Sequence, residues 1–302
     1  MSMMLLFGAG ASFGNPDCHP HPPPLGANLL AALQARGGVA ATIRGDLAER
    51  FKDNFEAGML EFFQTRNAEV TPLLREMAAF FVQFEPGPTN YYRILVDEAR
   101  KAHSDIVFAT TNYDLLIELS ICQSGARVTY HGRPVPRDNF SVLKLHGSCN
   151  FLPDLGTSSI QGIGFVIPEG GSILDAPVRP AQSAQEVIAF CSREDSIAPA
   201  IAVYMRGKPV LFSGPFVRDQ QTAFGKEAAN ARKTFIVGLR CNSDDHHIWD
   251  VLSRGNGWMG YVGKEPALFS DWCQGQGRKN ASVVADTFAE ALPTIRRAIA
   301  AA

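Results

Sequence analysis

The chain has 302 residues, 46% of them hydrophobic and 19% charged, with a formal net charge of -2. That length can bury a sizeable core, while the near-neutral charge supplies no positive field to hold a nucleic-acid backbone. No apolar run approaches the roughly 18 residues of a membrane-spanning helix, no fixed-period repeat is visible, and the six cysteines stand singly, without a C-x-x-C pair, as in a reduced, cytoplasmic protein.

The opening stretch MSMMLLFGAGASFG has two readings, a secretory signal or a first β-strand running into a glycine loop. No Lys or Arg precedes Met3, and the apolar core Met3–Phe7 is shorter than the roughly 7 to 15 residues of a signal-peptide core, so the strand reading is preferred. Further short apolar runs that do not alternate read as buried parallel strands: DIVFAT (105–110), ARVTY (126–130), SVLKL (141–145), KPVLF (208–212), TFIVG (234–238) and GWMGYV (257–262). The proline run HPHPPPLG is an extended connection. After it, apolar residues three and four apart predict helices up to about Lys101. DQQTAFGKEAANARK (219–233) and HHIWDVLSR are predicted helical, and SVVADTFAEALPTIRRAIAAA is predicted as one closing helix containing Pro293. Alternating strands and helices imply an α/β, doubly wound, mainly parallel Rossmann-like sheet. The expected organisation is one domain over residues 1–302. Residues 1–26 and 105–302 form its core, 27–104 a small helical insert, and 151–207, which includes GIGFVI, an irregular insert over the site.

Three stretches carry candidate chemistry. Gly8-Ala9-Gly10-Ala11-Ser12 follows the first strand, where a G-x-G turn lets backbone approach a diphosphate and the Ser12 hydroxyl can donate. Gly14 falls one place late for the dinucleotide fingerprint and no acidic residue closes the unit about 20 residues on, which disfavours a dehydrogenase. A glycine turn without ligand explains the stretch equally well. Thr111-Asn112-Tyr113-Asp114 ends a buried strand, the position from which α/β proteins address ligands. Asn112 is thereby placed to work, whereas Asp114 reads at least as well as a helix N-cap and Thr110 and Thr111 as strand packing. His146, in LKLHGS, puts an imidazole at another strand end, suited to proton transfer near neutrality.

In that order, GAGAS, TTNYD and KLHGS resemble the sirtuin-like (silent information regulator two-like) family, in wording closest to its bacterial antiphage-defence branch of NAD hydrolases. The resemblance covers roughly residues 3–14, 105–150 and 208–262. It implies that Gly8, Ala9, Gly10, Ala11 and Ser12 hold the diphosphate of NAD, that Asn112 orients the ribose or a water, and that His146 is the base, with Thr111 and Asp114 lining the site. In VGLRCNSDDHHIWD it implies that Gly238 approaches the adenosine ribose and that Asp245 matches a recurrent acidic position, although capping of the next helix explains Asp245 equally well. The cysteine zinc module and the P-D-F-R segment of protein-deacylating relatives are missing, which favours NAD cleavage over deacylation.

The expected function is therefore NAD+ glycohydrolysis, with NAD as substrate and no metal, by a regulated effector of antiphage defence. Protein deacylation, ADP-ribose cyclisation and non-catalytic NAD or ADP-ribose sensing are the alternatives. The resemblance also implies a homo-oligomer working with a partner such as a HerA-type ATPase, with no direct nucleic-acid or membrane contact. Cys18, His19 and His21 read as a proline-rich loop and DDHH (244–247) as a helix start, not as metal sites. His131, in TYHGRP, is the one rival to His146.

Overall fold

The computed structural model describes residues 2–130, 139–156, 174–193, 197–203, 208–242 and 244–302. β1 (Met3–Phe7) runs into the short helix α1 (Ala9–Phe13), and β2 (Cys18–His19) pairs antiparallel with β3 (Glu85–Pro86). Between β2 and β3 lie α2 (Gly26–Gln34), α3 (Gly45–Asp53), α4 (Phe55–Thr65) and α5 (Val70–Phe81). Next come α6 (Tyr91–Ala102), β4 (Ile106–Thr110), α7 (Leu116–Gln123), β5 (Arg127–Thr129) and β6 (Asn139–Lys144). A small antiparallel pair, β7 (Phe151–Pro153) and β8 (Val178–Pro180), precedes α8 (Ala184–Cys191) and α9 (Gly214–Asn230). β9 (Lys233–Val237), α10 (His246–Arg254), β10 (Trp258–Val262), α11 (Pro266–Gly275), β11 (Ala281–Ala285) and α12 (Phe288–Ala300) complete the chain.

The central sheet has the order β11-β10-β9-β1-β4-β6-β5, with every neighbouring pair parallel. Its inner strands β1, β4, β9 and β10 are apolar without alternation because both faces are covered. Met3, Leu5 and Phe7 project into a core shared with Leu95, Val96, Ile295 and Ile299, while Met4 and Leu6 project into one shared with Phe224, Ile248, Trp249 and Leu252. The chain begins in the middle of the sheet. It builds outward through β4 and β6, then returns to the other side of β1 with β9. The strand order therefore reverses between β1 and β9, and the crevice beyond the carboxyl ends of these strands is where such sheets take ligands.

Three expectations are corrected. KPVLF is not a strand of the sheet. Val210 bridges Ala202 and Phe212 bridges Leu174, and Val210 packs with Phe151, Ala200, Ala202 and Val217 in a separate small cluster, so its apolarity marks burial under a loop. ASVVA, predicted as part of the closing helix, is the edge strand β11; α12 starts only at Phe288, behind a capping box of Thr287 and Glu290. The helix predicted over 219–233 begins at Gly214 and ends at Asn230, since Lys233 already belongs to β9. GIGFVI lies outside the described residues.

A short stretch, residues 198–203, roofs the carboxyl edge of β6. Ala202 N–H donates to the His146 carbonyl at 2.8 Å, Ser148 N–H donates to the Ala200 carbonyl at 3.1 Å, and the buried Tyr113 hydroxyl donates to the Ala202 carbonyl at 2.7 Å. Gly147 makes this approach possible. Its φ is +79°, and a Cβ there would sit 1.9 Å from the Ala200 carbonyl oxygen.

Candidate active site

The glycine stretch and Gly238 meet at the reversal point between β1 and β9. Gly8 N–H donates to the Val237 carbonyl and Gly10 N–H to the Gly238 carbonyl, each at 2.9 Å, while Ala11 N–H donates to the Gly8 carbonyl. A Cβ on Gly8 would lie 2.5 Å from the Gly238 oxygen, and one on Gly238, whose φ is +63°, 2.1 Å from the Ala11 nitrogen. These glycines thus interlock two loops, and three of the amides that could face an anion already have protein partners. Ala9 and Gly10 form the solvent-facing part of the turn.

The Ser12 hydroxyl, expected to serve a diphosphate, is buried and turned inward. It lies 3.0 Å from the Tyr92 hydroxyl and accepts from Asn112 Nδ2 at 2.9 Å. Asn112 Nδ2 also donates to the Gly8 carbonyl at 3.0 Å. A carbonyl can only accept, so this bond fixes the amide's orientation. It leaves Asn112 Oδ1, a buried acceptor, without a hydrogen-bond partner, the state in which a buried polar atom calls for a ligand or water. Thr111 N–H donates to the Phe7 carbonyl and Thr110 Oγ1 accepts from Asn112 N–H, so the threonines hold the strand end in place.

Asp114 Oδ1 accepts from Leu116 N–H at 3.2 Å, which supports the start of α7. Its backbone carbonyl accepts from Lys144 Nζ at 2.6 Å, and that ammonium also lies 3.1 Å from Glu118 Oε1. Burial raises both carboxyls above their ordinary range, with Lys144 opposing the rise. Lys144 and Glu118 form a buried ion pair beneath the strand ends that the sequence reading did not single out.

His146 is 5% exposed. Its Nε2 lies 3.0 Å from His247 Nε2 and 3.8 Å from Asp245 Oδ1. Burial, then His247 and Lys208, holds the His146 imidazole well below its usual pKa. It is therefore neutral at neutral pH and keeps a lone pair for a proton. His247 is lowered to about 4, first by burial, and Asp245 is raised to about 6, first by burial and against Lys208. Lys208 is itself paired with Glu56 of α4. Of the two readings of Asp245, side-chain capping of α10 is not met: its backbone carbonyl accepts from Ile248 and Trp249 N–H, but its side chain makes no capping bond. Asp245 Oδ1 has no hydrogen-bond partner at all.

Cys18, His19 and His21 do not converge. Cys18 is buried in β2, His19 lies 3.5 Å from Asp17, and His21 rests on Phe84. All six cysteines are free. His131 lies outside the described residues. Among the described residues no helix is long and apolar enough to cross a membrane.

The chain is a seven-stranded parallel α/β protein whose sheet ends present an under-bonded asparagine and an enclosed histidine, aspartate and histidine group. No family model matches it, and no curated protein matches it. Among solved structures it is similar to a crystal structure of Sir2 in complex with the inhibitor EX-527, 2′-O-acetyl-ADP-ribose and deacetylated p53 peptide. The two share 13% identity at a TM-score of 0.45, over 98% of this chain and 92% of that one.

Proposed function

We propose that the chain cleaves the bond between nicotinamide and ribose in NAD+, giving nicotinamide and ADP-ribose. The observation that carries this reading is the pairing of Asn112 and His146 on neighbouring strand ends. β4 and β6 run in register with Thr110 opposite Lys144, so both residues stand two places beyond the same level of the sheet. One offers an unsatisfied acceptor and the other a neutral imidazole. The resemblance of GAGAS, TTNYD and KLHGS to the sirtuin-like family supports the choice of substrate, and sequence alone supports the assignment to an antiphage-defence effector, its homo-oligomerisation and a HerA-type ATPase partner.

The reaction asks little covalent chemistry of the protein. Nicotinamide leaves with the electron pair of the C–N bond, becoming neutral, while the ribosyl C1′ gains oxocarbenium character. Asn112 Oδ1 would accept from a ribose hydroxyl or the attacking water. His146 would take the proton that water loses as its oxygen bonds C1′. The exposed Ala9–Gly10 edge would lie along the diphosphate. Cyclisation would use the same residues with an internal nucleophile in place of water.

Purified protein incubated with NAD+ should yield nicotinamide and ADP-ribose by chromatography. His146→Ala and Asn112→Ala should each lower turnover by about a hundredfold or more with the circular-dichroism spectrum unchanged, in keeping with loss of general-base action at His146 and of substrate positioning at Asn112. The acid limb of the pH profile should fall well below pH 6.5, because the folded imidazole resists protonation. Unaltered turnover in both variants would overturn the assignment, and release of a cyclic product would replace hydrolysis by cyclisation.

A further inference from the structure

We infer that His146, Asp245 and His247 form a binding site for a divalent transition metal, with Zn2+ the ion that fits best, and that filling it withdraws His146 from catalysis. Each residue offers one ligand atom, and the three atoms lie within 4.8 Å of one another. A tetrahedral zinc with bonds of about 2.0–2.1 Å holds its ligand atoms about 3.3 Å apart. The observed 3.0 Å between the two Nε2 atoms and 3.8 Å from His146 Nε2 to Asp245 Oδ1 bracket that spacing.

A hydrogen bond between the two imidazoles accounts for the first contact but not for the carboxylate. Asp245 is 6% exposed, and its Oδ1 has no hydrogen-bond partner although it faces the histidine pair. A buried carboxylate oxygen left bare beside two imidazole nitrogens is what a cation would satisfy. The surrounding charge is mixed: Lys208 places positive potential on all three residues but is itself paired with Glu56, and Glu56 and Asp244 add negative potential at Asp245.

Two imidazoles and a carboxylate suit zinc or ferrous iron. Enclosure decides between them. His146 and Asp245 are buried and only His247 is partly open, an enclosure that suits four-coordinate Zn2+ with a single external ligand better than an iron centre with several open positions. The zinc would occupy the Nε2 lone pair of His146. That consequence, and only that one, rests on His146 being the base for NAD+ cleavage.

The test starts from chelator-treated full-length protein. Calorimetry with Zn2+ should show one tight site per chain. Co2+ should give the visible bands of a four-coordinate nitrogen and oxygen site without a near-ultraviolet thiolate band, which separates it from the six free cysteines. His247→Ala and Asp245→Asn should each weaken binding by more than about a hundredfold, since even outer-shell changes at such sites cost 10–100-fold. Cys18→Ser with His19→Ala and His21→Ala should leave it unchanged. Binding that survives both ligand variants, or that shows thiolate bands, overturns the site, as does the lack of a stoichiometric Zn2+ site. If NAD+ is cleaved, its cleavage should fall with the same midpoint as zinc binding. Cleavage unaffected by a filled site would refute the withdrawal of His146 and leave the metal site standing. A protein that cleaves no NAD+ fails the functional reading alone, because the binding arms do not depend on it.

Discussion

Burial moves Asp245 and its histidine neighbour in opposite directions, and stability should record both. The Asp245 carboxyl is raised from 3.8 to about 6, so the folded state holds its proton more tightly than the unfolded chain. Its contribution is fully present below about pH 3.8 and is lost as pH rises through about 6. His247 is lowered from 6.5 to about 4; its contribution is present above about pH 6.5 and is lost as pH falls towards 4. Asp245→Asn removes only the first effect. In chelator, urea denaturation should show the variant more stable by about 3 kcal/mol at pH 8 and by about half that at pH 5. Equal gains at both pH values would remove desolvation as the cause. Asn112 and His146 could be found from sequence because each is a polar residue ending an apolar strand. Asp245 was legible both as a recurrent acidic position and as a cap, and sequence could not choose, because an aspartate before a helix occupies the same position whichever way its side chain turns. The Lys144 and Glu118 pair left one clue, a lysine inside the apolar run SVLKL, where a charge must find a partner.

The elements around the site depend on one close approach. Gly147 lets residues 198–203 lie on the edge of β6, and a side chain there would meet the Ala200 carbonyl in a left-handed conformation. Gly147→Ala should therefore destabilise the protein by about 2 kcal/mol or more, since the conformation alone costs about 1–3. It should also speed hydrogen exchange in a peptide spanning 198–203; exchange at the wild-type rate would show that the roof is held elsewhere. Strands were readable where two faces are buried, as in β1 and β4. The failures at KPVLF and ASVVA share one cause: apolar character reports burial, while strand membership also requires a neighbour. KPVLF is buried in a loop cluster and makes only isolated bridges to Ala202 and Leu174, away from the central sheet. β11 is an edge strand with Val283 partly exposed, so it lacks the continuous burial that marked the others, and the T-x-x-E box at Thr287 was the better signal that a helix begins only there.

Across the molecule, the two ends of the chain are fastened together. Phe288 of α12 packs on Phe7 of β1 and on Tyr91 and Tyr92 of α6, with ring centroids 5.2–5.8 Å apart. Ser104 donates to the Ile299 carbonyl and Arg296 pairs with Glu98. Phe288→Ala should cost about 3–5 kcal/mol and lower a single denaturation midpoint. A second transition in the variant would show that the last helix and the first strand unfold separately. The doubly wound class was legible because strands alternate with helices, but the reversal between β1 and β9 was not, since strand order depends on which crossovers lie on which side. The roof over β6 sets a clock on the site. Solvent deuterium reaches the Ala202 amide only when its bond to the His146 carbonyl opens. Where every opening leads to exchange, the rate read at this one backbone amide is the rate at which the roof lifts from the edge of β6.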